Sequence, residues 1–113
     1  MTMLLSRTWV DVCPLDKLVP GRGVCALVAG RQVAVFRVIG EDIYALSNYD
    51  PFSRAFVLSR GIVGSKAERL KVTSPVYKQS FDLETGVCLD DATVSVPRFE
   101  VRILDGVVQV ATQ

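Results

Sequence analysis

The sequence predicts an all-β domain, and two observations carry that reading. Short runs rich in β-branched and aromatic residues recur along most of the chain, broken by turn dipeptides such as Gly30-Arg31, Gly40-Glu41 and Asp105-Gly106. Nowhere does an apolar stripe of helical period extend far enough for a long helix. The chain has 113 residues, half of them apolar and 22% charged, so one core and a single domain over 1–113 are expected.

Trp9 to Cys13 reads as a first strand, and Asp16 to Val19, held between Pro14 and Pro20, has room for one helical turn at most. Val24 to Ala29, Gln32 to Ile39 and Asp42 to Ser47 then read as a three-strand meander. Two stretches interrupt the rhythm and read as loops: Asn48 to Arg54, continuing from Phe56 to Gly61, and Thr73 to Gln79. Between them Arg69 to Thr73 is a strand, and after them Ser80 to Leu83 runs into the turn Glu84-Thr85-Gly86 before Val87 to Leu89. The chain closes on a β-hairpin, Phe99 to Leu104 and Val107 to Val110 around Asp105-Gly106, with Phe99, Val101 and Ile103 facing the core and Glu100 and Arg102 outward. About nine short strands in an antiparallel sandwich or small barrel follow from this spacing.

Composition excludes much chemistry. With no histidine, the chain lacks the usual general base, the commonest metal ligand and any Ser-His or Cys-His pair. Cys13, Cys25 and Cys88 are odd in number, form no Cys-x-x-Cys pair and lie in apolar runs, so they read as reduced core residues without a disulfide. A protein-built metal site is not expected, and Gly21-Arg-Gly23 is a turn rather than a dinucleotide fingerprint. Asp90-Asp91, the one adjacent acidic pair, sits in a solvated turn rather than as a catalytic dyad. A formal charge of +1 disfavours a nucleic-acid or anionic-membrane partner. Apolar stretches are too short to span a bilayer, and Leu4, Leu5 and Arg7 stand in the wrong order for a secretory leader, so a cytoplasmic chain is expected, with residues 1–7 flexible.

Ala45-Leu-Ser-Asn48-Tyr-Asp50-Pro-Phe52 and Val72-Thr-Ser74-Pro-Val-Tyr77-Lys-Gln-Ser-Phe81, followed by Asp82-Leu-Glu-Thr-Gly86, resemble the two cluster-binding loops of a Rieske iron–sulfur domain. In such domains each loop supplies one Cys and one His to a [2Fe–2S] cluster. The matching positions here carry Asn48 and Asp50, then Ser74 and Tyr77, so the resemblance implies a Rieske-like fold, with two loops at one end, that holds no cluster. Trp9-Val-Asp-Val-Cys13, Gly23-Val-Cys-Ala-Leu27, Gln32-Val-Ala-Val-Phe-Arg37, Val57-Leu-Ser-Arg-Gly61 and Asp105-Gly-Val-Val-Gln109, with the two loops, extend the likeness to the small subunit of cytoplasmic NAD(P)H-dependent nitrite reductase.

That resemblance implies a role in reducing nitrite to ammonia, with FAD, sirohaem and an iron–sulfur cluster on the large subunit and no cofactor, metal or catalytic residue on this chain. Docking on or stabilising the large subunit is then the expected task. Pro51, Phe52, Phe56, Pro75, Tyr77 and Lys78 offer the mixture of apolar, aromatic and charged area found at interfaces. Phe52 and Phe56 have a second option, turning inward to fill the space a cluster would take. Asn48, Asp50 and Ser74 are expected to fix the loops by bonding nearby backbone N–H groups. Two other readings stand beside this one: a free ferredoxin-like electron carrier, and a small β-barrel binding module for single strands, which the scatter of Arg31, Arg37, Arg54, Arg60 and Lys71 disfavours.

Overall fold

Residues 8–112 are described by a computed structural model of the chain, and the flexible segment expected over 1–7 lies outside them. Twelve strands follow one another: β1 (Trp9–Pro14), β2 (Arg22–Val28), β3 (Arg31–Arg37), β4 (Ile43–Ser47), β5 (Tyr49–Asp50), β6 (Ala55–Phe56), β7 (Ile62–Lys66), β8 (Arg69–Thr73), β9 (Ser80–Asp82), β10 (Arg98–Phe99), β11 (Val101–Leu104) and β12 (Val107–Ala111). Single 3-10 turns cover Leu15–Lys17 and Leu58–Arg60.

All pairings are antiparallel, in a three-stranded sheet β1-β12-β11, a four-stranded sheet β10-β4-β3-β2, a three-stranded sheet β7-β8-β9 and the short β5-β6 ribbon. The four-stranded sheet is the middle layer. Val33 and Val35 on one face of β3 join Leu18, Val28, Phe99, Val108 and Val110 in a core against the first sheet. Ala34 and Phe36 on the other face join Leu46, Leu58, Val72, Phe81 and Leu83 in a second core under the β7-β8-β9 sheet. Burial on both faces is why the β3 sequence shows unbroken apolar residues where a half-exposed strand would alternate.

The difference from nine strands has specific causes. Val87 to Leu89 makes only isolated bridges, Phe81 with Cys88 and Val87 with Ser95, because its backbone bonds go to different segments: the Val87 carbonyl accepts from Asp82 N–H, Cys88 N–H donates to the Val94 carbonyl and Leu89 N–H to the Ser80 carbonyl. Ile62–Lys66, with Gly64 and Ser65 inside, carries little β signal, yet it forms a strand through its register with β8. The run from Phe99 to Leu104 is split: Arg98 and Phe99 pair with β4, whereas Val101 to Leu104 pair with β12, so the chain changes sheets at Glu100. The first break falls at Ala29-Gly30, one residue earlier than expected, because both residues there have positive φ (50° and 81°), as do Asp105 and Gly106 (52° and 78°) in the last hairpin.

Below the loops, the Asp82-Leu-Glu-Thr-Gly86 turn is held from within. Asp82 Oδ1 accepts the N–H groups of Glu84 (2.7 Å) and Thr85 (3.2 Å), and Oδ2 pairs with Arg69 Nη1 at 2.5 Å. Burial pushes the Asp82 carboxyl up, but the Arg69 hydrogen bond, the two N–H donors and the Arg69 charge together hold it below the usual carboxylate range. A depressed folded-state pKa contributes stability that is present above the unfolded value of about 4 and is lost as pH falls through the folded one. Urea unfolding followed from neutral pH down to about pH 2 should therefore show an acid-side loss of stability that Asp82→Asn diminishes; an identical pH profile in the variant would refute this role. Gly86 ends the turn at φ +82°, and a Cβ there would press into the Val96 carbonyl, whereas Gly106 at φ +78° faces open space. Gly86→Ala should cost upwards of about 2 kcal/mol, and Gly106→Ala about 1 kcal/mol, in chemical denaturation; equal losses would show that the Val96 contact is unimportant.

Candidate functional site

The two loops leave the middle sheet and the β8 strand side by side. The first begins where β4 stops: the Ser47 N–H is taken by the Pro97 carbonyl (2.8 Å), and Asn48, 2% exposed, begins the excursion. Asn48 uses every polar group it has. Its N–H donates to the Gln32 carbonyl (3.0 Å) and its carbonyl accepts from Leu58 N–H (3.1 Å). Its Oδ1 accepts from Ser59 N–H (2.7 Å), while Nδ2 donates to Gln32 Oε1 (3.1 Å). The residue thus ties β3 to the Leu58–Arg60 turn across the first loop.

Asp50 is fully buried, which demands that its carboxylate be surrounded by donors. Three are provided: Phe52 N–H to Oδ1 (2.9 Å), Ser53 Oγ to Oδ2 (2.9 Å) and Ser74 Oγ to Oδ2 (2.5 Å). The last is the one bond in this set that crosses between the loops. Ser74 is itself fully buried; its N–H donates to the Gln79 carbonyl (2.8 Å), and its Oγ accepts from Val76 N–H (3.3 Å). Of the four positions matched to cluster ligands, then, Asp50 and Ser74 come together, Asn48 faces β3, and Tyr77 stands outward at 62% exposure. Ser53, Gln32 and Ser59 complete the set without having been singled out from sequence. The Asp50-Pro-Phe-Ser53 spacing, an aspartate followed three residues later by a hydroxyl, is the pattern that points to Ser53.

The two phenylalanines divide between their options. Phe52 is half-buried against the second core, its ring 6.1 Å from that of Phe81. Phe56 is 53% exposed and leans on Tyr49 with centroids 5.1 Å apart. Pro51 is half-buried, while Pro75, Val76, Tyr77 and Lys78 are exposed. A cavity of about 330 Å³ opens beside Phe56, lined by Arg31, Gln32, Ser47 and Phe99 among others, with no thiol or carboxylate in its wall.

Elsewhere the candidate chemistry disperses. Asp90 and Asp91 serve separate turns: Asp90 Oδ2 accepts Ser80 N–H (2.7 Å), and Asp91 Oδ1 accepts both the N–H (3.0 Å) and the hydroxyl (2.6 Å) of Thr93, bonds that hold the Asp91 carboxyl below its ordinary range. Cys88 is buried in the second core, and Cys13 is half-buried in the first, where burial and then the Asp16 charge push its thiol up. Cys25 departs from the expected packing: it is exposed on the edge strand β2, facing away from the first core, with Sγ 3.6 Å from Gln32 Oε1. The three thiols are unpaired.

These donors do not fit a Rieske-type cluster. The first loop supplies an amide and a carboxylate and the second a hydroxyl and an outward phenol, where two thiolates and two imidazoles are required. The Asp50 and Asn48 oxygens already accept bonds from their own loops. Among the described residues no three Cys, Asp or Glu groups gather as a metal would need. The Asp50–Ser74 bond should be measurable as loop cross-linking. Ser74→Ala is expected to cost about 1–3 kcal/mol and Asp50→Ala about 3 kcal/mol in urea unfolding, with a coupling of at least about 1 kcal/mol in the double-mutant cycle; additive losses would show that the loops are held by other contacts.

Comparison with known proteins covers nearly the whole chain. The family described as Rieske-like [2Fe-2S] domain matches residues 8–111. The NADH nitrite reductase small subunit of Salmonella typhimurium is 47% identical over 102 residues, which is 89% of this chain and 94% of that one. A crystal structure of a Mycobacterium tuberculosis protein ascribed to the NADH-dependent nitrite reductase small subunit superposes with a TM-score of 0.91 at 48% identity, covering 94% of this chain and 96% of that one. A Klebsiella oxytoca protein named as a nitrite reductase [NAD(P)H] large subunit contains a segment 39% identical over 110 residues, 97% of this chain but 11% of the longer one. The chain belongs to the Rieske-like [2Fe-2S] domain family, in its branch of nitrite reductase [NAD(P)H] small subunits.

Proposed function

We propose that this chain is a cofactor-free accessory subunit, docking through its loop end on the large catalytic subunit of a cytoplasmic NAD(P)H-dependent nitrite reductase and stabilising it without taking part in catalysis. The observation that carries the reading is the Asp50–Ser74 bond. At the two loop positions where a Rieske domain places an imidazole and a thiolate, this chain closes a buried hydrogen bond between its own side chains. A centre that accepts and passes electrons needs ligands the loops do not offer. What the loops do offer is ordered backbone beneath exposed aromatic area at Phe56 and Tyr77, which suits contact with another protein.

The Klebsiella oxytoca relative supports the same task from another direction. There a homologous segment is part of the large subunit's own polypeptide, so in that protein the domain is held beside the catalytic body by covalent linkage. For the separate chain, association must come from an interface.

The test is nitrite-dependent NAD(P)H oxidation by the purified large subunit with and without this chain, with an iron assay and visible spectrum of this chain prepared anaerobically. The expected result is a colourless protein with far less than one iron per chain that raises the rate or prolongs the half-life of the large subunit. Stoichiometric iron with visible absorption would overturn the cofactor-free part. Lack of any effect on rate or half-life, with no association, would overturn the accessory role.

A further inference from the structure

The charge of the chain is distributed unevenly. Residues 51–79 contain Arg54, Arg60, Lys66, Arg69, Lys71 and Lys78 against Glu68 alone, a net of +5, which leaves −4 for the remainder of a chain whose total is +1. At the loop end basic side chains outnumber exposed acidic ones. Arg54 and Lys78 are exposed on the two loops, and Arg60 is exposed beside Arg22 and Gly23 where the first loop returns. The one loop carboxylate, Asp50, is buried, and Asp90, exposed, accepts the Ser80 N–H next to the second loop. Among the described residues none of these three cations pairs with a carboxylate; Lys78 Nζ reaches only the Pro75 carbonyl at 3.3 Å.

Arg54 and Lys78 also share an unusual backbone. Both occupy the left-handed region, at φ 60° and 68°, which side-chain-bearing residues seldom adopt. Each is the fourth residue after a member of the Asp50–Ser74 bond, and backbone bonds close both turns, Arg54 N–H to the Asp50 carbonyl (2.7 Å) and Ser74 N–H to the Gln79 carbonyl (2.8 Å). Between and around them, Phe56, Val76 and Tyr77 are 53%, 44% and 62% exposed.

The geometry points to a partner face that is apolar at its centre and acidic at its rim: Phe56 and Tyr77 enter a depression on the large subunit, and Arg54, Arg60 and Lys78 meet carboxylates around it. This rests on the docking role proposed above and specifies the chemistry of the surface that receives the loops. A localised acidic patch suits the molecule better than an extended polyanion does, because a long phosphate backbone would also run past the −4 remainder of the chain. Opposed charges of this kind raise the association rate and make it sensitive to ionic strength.

The experiment is surface-based kinetics of the full chain binding to the purified holo large subunit across roughly 50 to 500 mM salt. Affinity is expected to fall about tenfold or more over that range, and Arg54→Glu with Lys78→Glu together to weaken low-salt binding by at least about tenfold, chiefly through a slower association rate. Arg54→Gln with Lys78→Gln should give an intermediate loss, guarding against a folding defect of the charge reversal, and Lys17→Glu in the Leu15–Lys17 turn should change little. Binding that ignores salt and survives the reversal would overturn this inference alone. Absence of binding at any salt would overturn it together with the docking role. Salt-sensitive binding of a single-stranded oligonucleotide, lost in the reversal, would assign the patch to nucleic acid and overturn it as well.

Discussion

A carboxylate removed from water has to be answered by donors, and Asp50 is the point where this chain meets that demand. Its two oxygens take a backbone N–H from its own loop, a hydroxyl three residues on, and a hydroxyl from the neighbouring loop. The first two shape the turn that carries Phe52 into the second core and sets Arg54 in its left-handed conformation. The third holds the two loops at a fixed separation. In a cluster-bearing relative of this fold, iron–ligand bonds bridge the loops. Here a side-chain hydrogen bond spans the same interval, and the geometry of the loop end descends from it.

Much of the fold was legible because its signals are local. The Asp105-Gly106 hairpin, the meander from β2 to β4 and the β8 strand follow from alternation and turn chemistry, and they pair as those signals predict, with their ends displaced by a residue or two. What local signals could not show was partnership. Ile62–Lys66 is a strand because β8 lies beside it, and Phe99 to Leu104 serves two sheets because β4 and β12 each claim part of it. The same limit governed the loops. That Asn48, Asp50 and Ser74 fix backbone could be read from residue type, since short polar side chains capture nearby N–H groups. That Asp50 and Ser74 find one another required the tertiary arrangement, and so did the division of labour in which Phe52 fills space and Phe56 remains outside. Cys25 misled for a similar reason: an apolar run suggested burial, but alternation along β2 turns Val24 and Ala26 to the first core and Cys25 to the opposite face, where it is exposed.

Two cores on opposite faces of one sheet also separate rigidity from recognition. Val33, Val35, Val108 and Val110 bind the first and last strands of the described chain to the middle layer. Phe36, Leu58 and Phe81 bind the loop-bearing layer to its other face. Exposed aromatic and basic side chains therefore stand on a support packed from behind, which reduces the ordering that an interface must impose when it forms.

The route of the chain through these layers bears on how such a molecule can change over time. Everything between Asn48 and Val96 leaves and re-enters at one rung, where the Ser47 N–H meets the Pro97 carbonyl and Leu46 lies opposite Arg98. The strands on either side of that rung complete the β1-β12-β11 and β10-β4-β3-β2 sheets without help from the excursion. The loop-bearing layer is in this sense a cassette spliced between two sheets that are complete without it. Its ligands can be exchanged for hydroxyls and amides, or its tips rewritten for a new partner, while the body that receives it keeps its register.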